Sequence, residues 1–137
     1  MKLLDTSVLV DIDRGGVDRK VQKLDDQGRH AVSMVTVTEL QLGVNIQYER
    51  GTETHREAAD ALARLLARFE TLPITRPVAV AAADIIASLR QDGRPIDDLH
   101  DVYIAATATV EQVPVLTGNV GHFERVDGIQ VLDWETF

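Results

Sequence analysis

The stretch MKLLDTSVLVDIDRGG, residues 1–16, decides the fold. A short apolar run ends in an acid, Asp5, and passes at once into Thr6, Ser7 and a second apolar set. The pattern predicts a buried strand running into a helix capped by Thr6 or Ser7. Asp5 and Asp11 interrupt the apolar run and no small-residue cleavage site follows it, so it does not read as a signal peptide, and a cytoplasmic protein is expected.

RHAVSMVTVTEL, residues 29–40, repeats the design. A strand is expected near Ala31 to Met34, and Thr36 with Glu39 makes the T-x-x-E pattern of a capping box for a helix running toward Gln47. In HREAADALARLLARFETL, residues 55–72, Ala58, Leu62, Leu65, Leu66 and Phe69 share one face at three- and four-residue spacing, which predicts an amphipathic helix. Pro77 and Gly93 bracket a further helix, almost wholly apolar from Val78 to Leu89 and expected to be largely buried. Asp98 is placed to cap the next, DDLHDVYIAATATVEQ, and VPVLTGN and IQVLDW read as closing strands. The order β-α-β-α-α-α-α-β-β with short connections predicts one domain over residues 1–137, a three-layer α/β/α sandwich around a short parallel sheet.

Composition limits the chemistry. With no cysteine, disulfides and thiolate metal sites are excluded, and no apolar run approaches the roughly 20 residues of a membrane-spanning helix. The 14 cations against 22 acids leave a net charge of −8, which argues against a broad nucleic-acid-binding face and requires a local exception for any polyanionic substrate. Only Lys2, Lys20 and Lys23 among the 14 cations are lysines, and Asp outnumbers Glu, a skew that would suit a high-salt cytoplasm.

Three acids stand out, each with a plain structural explanation. Glu39 can complete a capping box, Asp101 can meet a helix dipole, and Asp5 can bond the amides of the next turn. Taken together they fit a site, because ligands of open parallel sheets bind beyond the carboxyl ends of strands, where all three would meet. Two carboxylates about 4 Å apart repel by roughly 4 kcal/mol at an effective dielectric near 20, so a cation or a shared proton is needed. All-oxygen donors match Mg²⁺ or Mn²⁺, the ions most often used on phosphates, and a carboxylate cluster alone can run a phosphodiesterase. Dehalogenase-type phosphatases are excluded because Ser7 stands where D-x-D-x-T needs its second acid. Receiver domains are excluded because no lysine follows Lys23, and Gly-rich phosphate loops because DRGG lacks the Lys-Ser/Thr that would follow.

The chain resembles the PIN domain, and within it the VapC-type toxin ribonucleases of toxin–antitoxin pairs. LLDTSVLVD is similar to the opening strand of that family with its first acid, and VTVTELQLGV to its T-x-x-E-L segment. GRPIDDLHDVYIAATA matches G-x-P-I … D-x-x-I-A-A-T-A, and VLTGNVGHFERVDGIQVLDW the closing T-x-N-x-x-D-F-x-x-x-x-G-x-x-V, so the likeness runs from residue 3 to residue 134. The resemblance implies a Mg²⁺- or Mn²⁺-dependent endoribonuclease in which Asp5, Glu39 and Asp101 hold metal, with Thr6, Asp98, Thr117, Asn119 and His122 supporting them. His122 replaces the usual fourth acid; Asp97 or Asp98 would either substitute for that charge or merely cap the helix. Gly118 stands where an arginine is frequent. Arg14, Arg94, His100 and Arg125 are candidates for a local positive rim that contacts RNA, or are solvated loop charges. The resemblance also implies RNA cleavage, often of tRNA, a homodimer, and a small VapB-like antitoxin. The helical hairpin from Thr38 to Leu72 is a candidate surface for either partner, or plain core. Alternatives are a PIN-type RNA-processing nuclease without a toxin role, and a catalytically weak protein-binding module.

Overall fold

A computed structural model describes residues 1–95 and 97–137; Ile96, of the GRPI segment, lies outside them. The elements are β1 (Leu3–Leu4), α1 (Thr6–Arg14), α2 (Asp18–Asp26), β2 (Ala31–Ser33), α3 (Met34–Gln47), α4 (Glu53–Leu66), β3 (Glu70–Leu72), α5 (Arg76–Gln91), α6 (Leu99–Glu111), β4 (Val115–Thr117), α7 (Val120–Phe123) and β5 (Val131–Asp133). The strands form one parallel sheet in the order β3-β2-β1-β4-β5.

The period-two alternation of a strand splits the core cleanly. Leu3, Ala31 and Val115 face one way, against Leu89 of α5, Ile104, Ala105 and Ala108 of α6, and Phe123. Leu4, Val32 and Leu116 face the other, against Val8 and Leu9 of α1, Leu24 of α2, Phe69 and Trp134. The expected three-layer α/β/α sandwich is therefore present, with a fully buried central strand. In α6 every residue from Ile104 to Ala108 is buried, and its small side chains let the helix lie close to the sheet.

Several boundaries differ from the sequence expectation. The helix predicted over residues 55–72 stops at Leu66, and Glu70–Leu72 pairs with Ala31–Ser33 as the edge strand β3. Three residues, of which only Leu72 is buried, carry no period that separates strand from helix, so only the sheet edge decides them. The short helix α2 buries only Leu24 and carries little apolar signal. Helix α5 is one-sided rather than largely buried: Val78, Ala82 and Leu89 are covered, whereas Val80 is 55% exposed. Helix α3 begins at Met34 with Ser33 as its cap, the Val35 amide donating to Ser33 Oγ at 3.2 Å, so Thr36 and Glu39 lie inside the helix and form no capping box. No helix among the described residues is long and apolar enough to cross a membrane.

Candidate active site

The strand order reverses direction between β1 and β4, the place where open α/β sheets form ligand crevices. Asp5 follows β1 there. Its amide donates to the Leu116 carbonyl at 2.9 Å, which anchors it to β4. It takes the cap position of α1 with extended backbone, displacing Thr6 and Ser7 from that expected role, yet its carboxylate caps no amide. Oδ2 instead accepts from Ser7 Oγ at 2.7 Å and from Thr117 Oγ1, at the end of β4, at 2.8 Å. Asp5 is 2% exposed. The explanation of this acid as a helix cap does not hold.

Glu39 projects from the second turn of α3. Thr6 Oγ1 donates to its Oε1 at 2.8 Å, and since the single Thr6 proton is used there, the buried Thr36 hydroxyl at 3.1 Å must donate to Thr6. Asp101, 7% exposed in the first turn of α6, accepts at Oδ2 from His122 Nδ1 at 2.8 Å. His100 Nδ1 stands 3.4 Å from Glu39 Oε2 and 3.6 Å from Asp98 Oδ1. Asp98 is the cap of α6, accepting from the His100 amide at 2.8 Å.

The electrostatics tie the three acids together. Burial pushes the Glu39 carboxyl above the usual carboxylate range; the Thr6 hydroxyl and His100 oppose this, while Asp98 and Asp5 add to it. Burial likewise raises Asp101, opposed by the His122 hydrogen bond and reinforced by the negative charges of Asp5 and Asp98. Asp5 thus acts on both of the other acids, each of which is unfavourable as an anion and would gain from a cation.

The donor set fits a hard divalent ion in chemistry, being carboxylate oxygen with hydroxyl and amide support. It is not a closed cage: among the described residues no three His, Asp or Glu side chains stand together at ligand spacing. Each acid is instead held by its own neutral or histidine partner. Mg²⁺ tolerates such an open set, because it keeps several waters and takes only one or two carboxylates directly.

The other expected residues divide. Thr117 bonds Asp5 directly, and Asn119 joins through its backbone, its amide donating to Thr117 Oγ1 at 2.9 Å, while its side chain is exposed. Arg125 lines a cleft of ≈ 200 Å³ with Asp97, Asp98 and His122, and donates from Nη1 to the Pro95 carbonyl at 3.3 Å. Arg94 is exposed in the loop leading to α6. Arg14 does not join this rim: it ends α1, about 12 Å of helix from Thr6, in the groove that α1 forms with α3 and α4. His100 stands beside Glu39 and Asp98 with its side chain 43% exposed. Sequence reading missed Ser7 and Thr36, which are ordinary in type and identified only by their contacts with Asp5 and Thr6.

The profile of the PIN domain family matches residues 2–129. The chain belongs to the PIN domain family. Ribonuclease VapC1 of Methanocaldococcus jannaschii is 32% identical over 133 residues, which cover 96% of this chain and 86% of that protein. The tRNA(fMet)-specific endonuclease VapC of Shigella flexneri is 30% identical over 109 residues, 80% of this chain and 78% of that one. Among solved structures, VapBC-5 from Mycobacterium tuberculosis, a member of the VapBC family of toxin–antitoxin systems, superposes with a TM-score of 0.70 at 29% identity, over 96% of this chain and 97% of that one. The family match over residues 2–129 takes in the segments that carry Asp5, Glu39 and Asp101.

Proposed function

We propose that this PIN chain is a divalent-metal-dependent endoribonuclease acting in the cytoplasm as the toxin of a toxin–antitoxin pair, with tRNA as its favoured substrate. The observation that carries the reading is Asp5, a carboxylate 2% exposed at the reversal of the strand order, whose charge adds to the rise that burial causes in both Glu39 and Asp101. The names of the VapC relatives support the choice of RNA.

Asp5, Glu39 and Asp101 would hold Mg²⁺ or Mn²⁺. When bound, the ion would polarise the phosphodiester and lower the pKa of an attacking water. The chain's own groups set the stage: Thr117 and Ser7 fix Asp5, Thr6 fixes Glu39, and His122 fixes Asp101. Arg94 and Arg125 would approach substrate phosphates. Burial of Thr36, Thr117 and Asp5 limits bulk water behind the acids.

Partners fit separate surfaces. The groove of ≈ 540 Å³ between α1 and the α3–α4 hairpin, floored by Val10, Leu40, Val44, Leu62 and Leu65, would take an apolar segment of a VapB-like antitoxin. On α3, Met34, Leu42 and Ile46 are 43%, 51% and 77% exposed, an apolar face suited to a homodimer. The open acid set and the His122–Asp101 contact favour one competing reading, a catalytically weak binding module.

The test is a gel assay of bulk tRNA and messenger RNA with wild type and Asp5→Asn, each with Mg²⁺ or EDTA. Discrete fragments from wild type alone, abolished by EDTA, are expected. Intact RNA in every lane, together with no Mn²⁺ binding at millimolar metal, would overturn the enzyme reading.

A further inference from the structure

The geometry points to Ser7 as a positioning residue that, in parallel with Thr117, saturates Oδ2 of Asp5 and leaves Oδ1 as the single oxygen presented to a divalent ion. The inference rests on the reading of Asp5 as an ion ligand and adds how the chain orients it.

Two relays converge on the same oxygen. Gly118 N–H donates to Ser7 Oγ at 3.1 Å, and Ser7 Oγ–H donates to Asp5 Oδ2 at 2.7 Å. Asn119 N–H donates to Thr117 Oγ1 at 2.9 Å, and Thr117 Oγ1–H donates to the same Oδ2 at 2.8 Å. A hydroxyl has one proton, so each backbone amide, by occupying a lone pair, helps to direct that proton onto the carboxylate. Both hydroxyls come from short, fixed segments: Ser7 from the first turn of α1, Thr117 from the end of β4. Oδ1 accepts no hydrogen bond from the described residues, and no buried side-chain polar atom lacks a partner, so Oδ1 is the part of Asp5 still open to solvent.

The consequence is a one-oxygen ligand of fixed direction. An oxygen already accepting two short hydrogen bonds is a poorer metal donor, whereas the other keeps its lone pairs free. One-oxygen ligation leaves more of an octahedral shell for water and phosphate. Gly118 enters the device through its amide: a Cβ there would stand 3.4 Å from Ser7 Oγ, an ordinary contact that leaves the relay in place.

The test is calorimetric titration of Mn²⁺ into the full chain, with melting temperatures in EDTA measured beside it. Wild type should bind and Asp5→Asn should not. Ser7→Ala should bind about 10-fold more weakly, the lower end of what outer-shell substitutions cost a metal site, while its melting temperature in EDTA changes little. Ser7→Thr should recover most of the affinity by restoring the hydroxyl, and Thr117→Val, which removes the other relay, should weaken binding as Ser7→Ala does. Wild-type affinity in Ser7→Ala, with or without a lower melting temperature, would overturn the positioning role and leave the ion-ligand reading standing. Equal binding, or none, by wild type and Asp5→Asn would remove the ion-ligand reading and this inference together.

Discussion

Asp5 and His30 are buried to nearly the same degree, 2% and 3% exposed, at opposite ends of the central strand β1. His30 closes its site completely: the Lys2 amide donates to Nδ1 at 3.0 Å, so Nε2–H is free to donate to the Leu24 carbonyl at 2.8 Å. Both ring nitrogens meet backbone, and the imidazole joins β1 to the end of α2. Asp5 has one oxygen held by hydroxyls and the other open. A buried polar group with all its partners serves the fold, whereas one left half-partnered by a surrounding that could have closed it marks where something else binds.

The sharpest way to break this comparison is to exchange the expected consequences. Asp5→Asn should abolish RNA cleavage, exceeding the about 100-fold loss typical of outer-shell changes, yet leave melting in EDTA unchanged or higher, because the amide oxygen can still accept from Ser7 and Thr117. His30→Ala should do the reverse, destabilising by about 3 kcal/mol through two unpartnered backbone groups while the folded fraction cleaves normally. Urea denaturation and single-turnover cleavage on both variants decide it; an unfolded Asp5→Asn or a folded but inactive His30→Ala would undo the distinction.

Acid pH sharpens the same contrast. Burial lowers the pKa of His30 below its ordinary value of 6.5, so the unfolded chain binds the proton more readily and stability is lost as pH falls through 6.5 toward the folded value. Glu39 and Asp101 are raised, so each takes up its proton more readily in the folded state, and metal-free stability from these two grows as pH falls toward 4.5 and 3.8, their ordinary values. Denaturation in EDTA should therefore show His30→Gln less sensitive to mild acid than wild type. In Mg²⁺, the gain in melting temperature should increase with pH as the acids ionise; a gain independent of pH would place the ion elsewhere.

Asp101→Asn should raise the melting temperature in EDTA by a few degrees, about 1 kcal/mol, by removing a buried anion facing Asp5, and should shrink the rise that Mg²⁺ produces. Thermal scans with and without Mg²⁺ measure both, and a folded variant that keeps the full Mg²⁺ response would remove Asp101 from the site. The smallest effect belongs to Asp98, whose carboxylate caps α6. Asp98→Ser should change stability by only a few tenths of a kcal/mol, against about 1 kcal/mol for Asp98→Ala, and cleavage should persist in both. Loss of cleavage in Asp98→Ser would show that its charge, and not its cap, is what the site uses.

Much of the candidate site was legible because strand ends are. Asp5 follows two apolar residues and must emerge from the sheet, and Asp101 heads a helix too apolar to lie on the surface. The roles of their neighbours were not legible in the same way. T-x-x-E has the same spacing whether it caps a helix or lies one turn inside it, and only the start of α3 at Met34 makes Thr36 a buried partner of Thr6. His122 reads as the loss of an acid and is found bonded to Asp101, at a sequence separation of 21 residues.

The sequence by itself determined the layered α/β architecture, the PIN resemblance and the three acids, because burial period and strand-to-helix corners are local properties of the chain. Only the tertiary structure decided that β4 lies beside β1, so that Thr117 and Ser7 meet on one oxygen of Asp5, 112 and 2 residues away in the chain. It alone also recruited Glu70–Leu72 as a sheet edge and turned α5 outward on one side. Those outcomes depend on which surfaces are available to cover each segment, and no window of neighbouring residues contains that information.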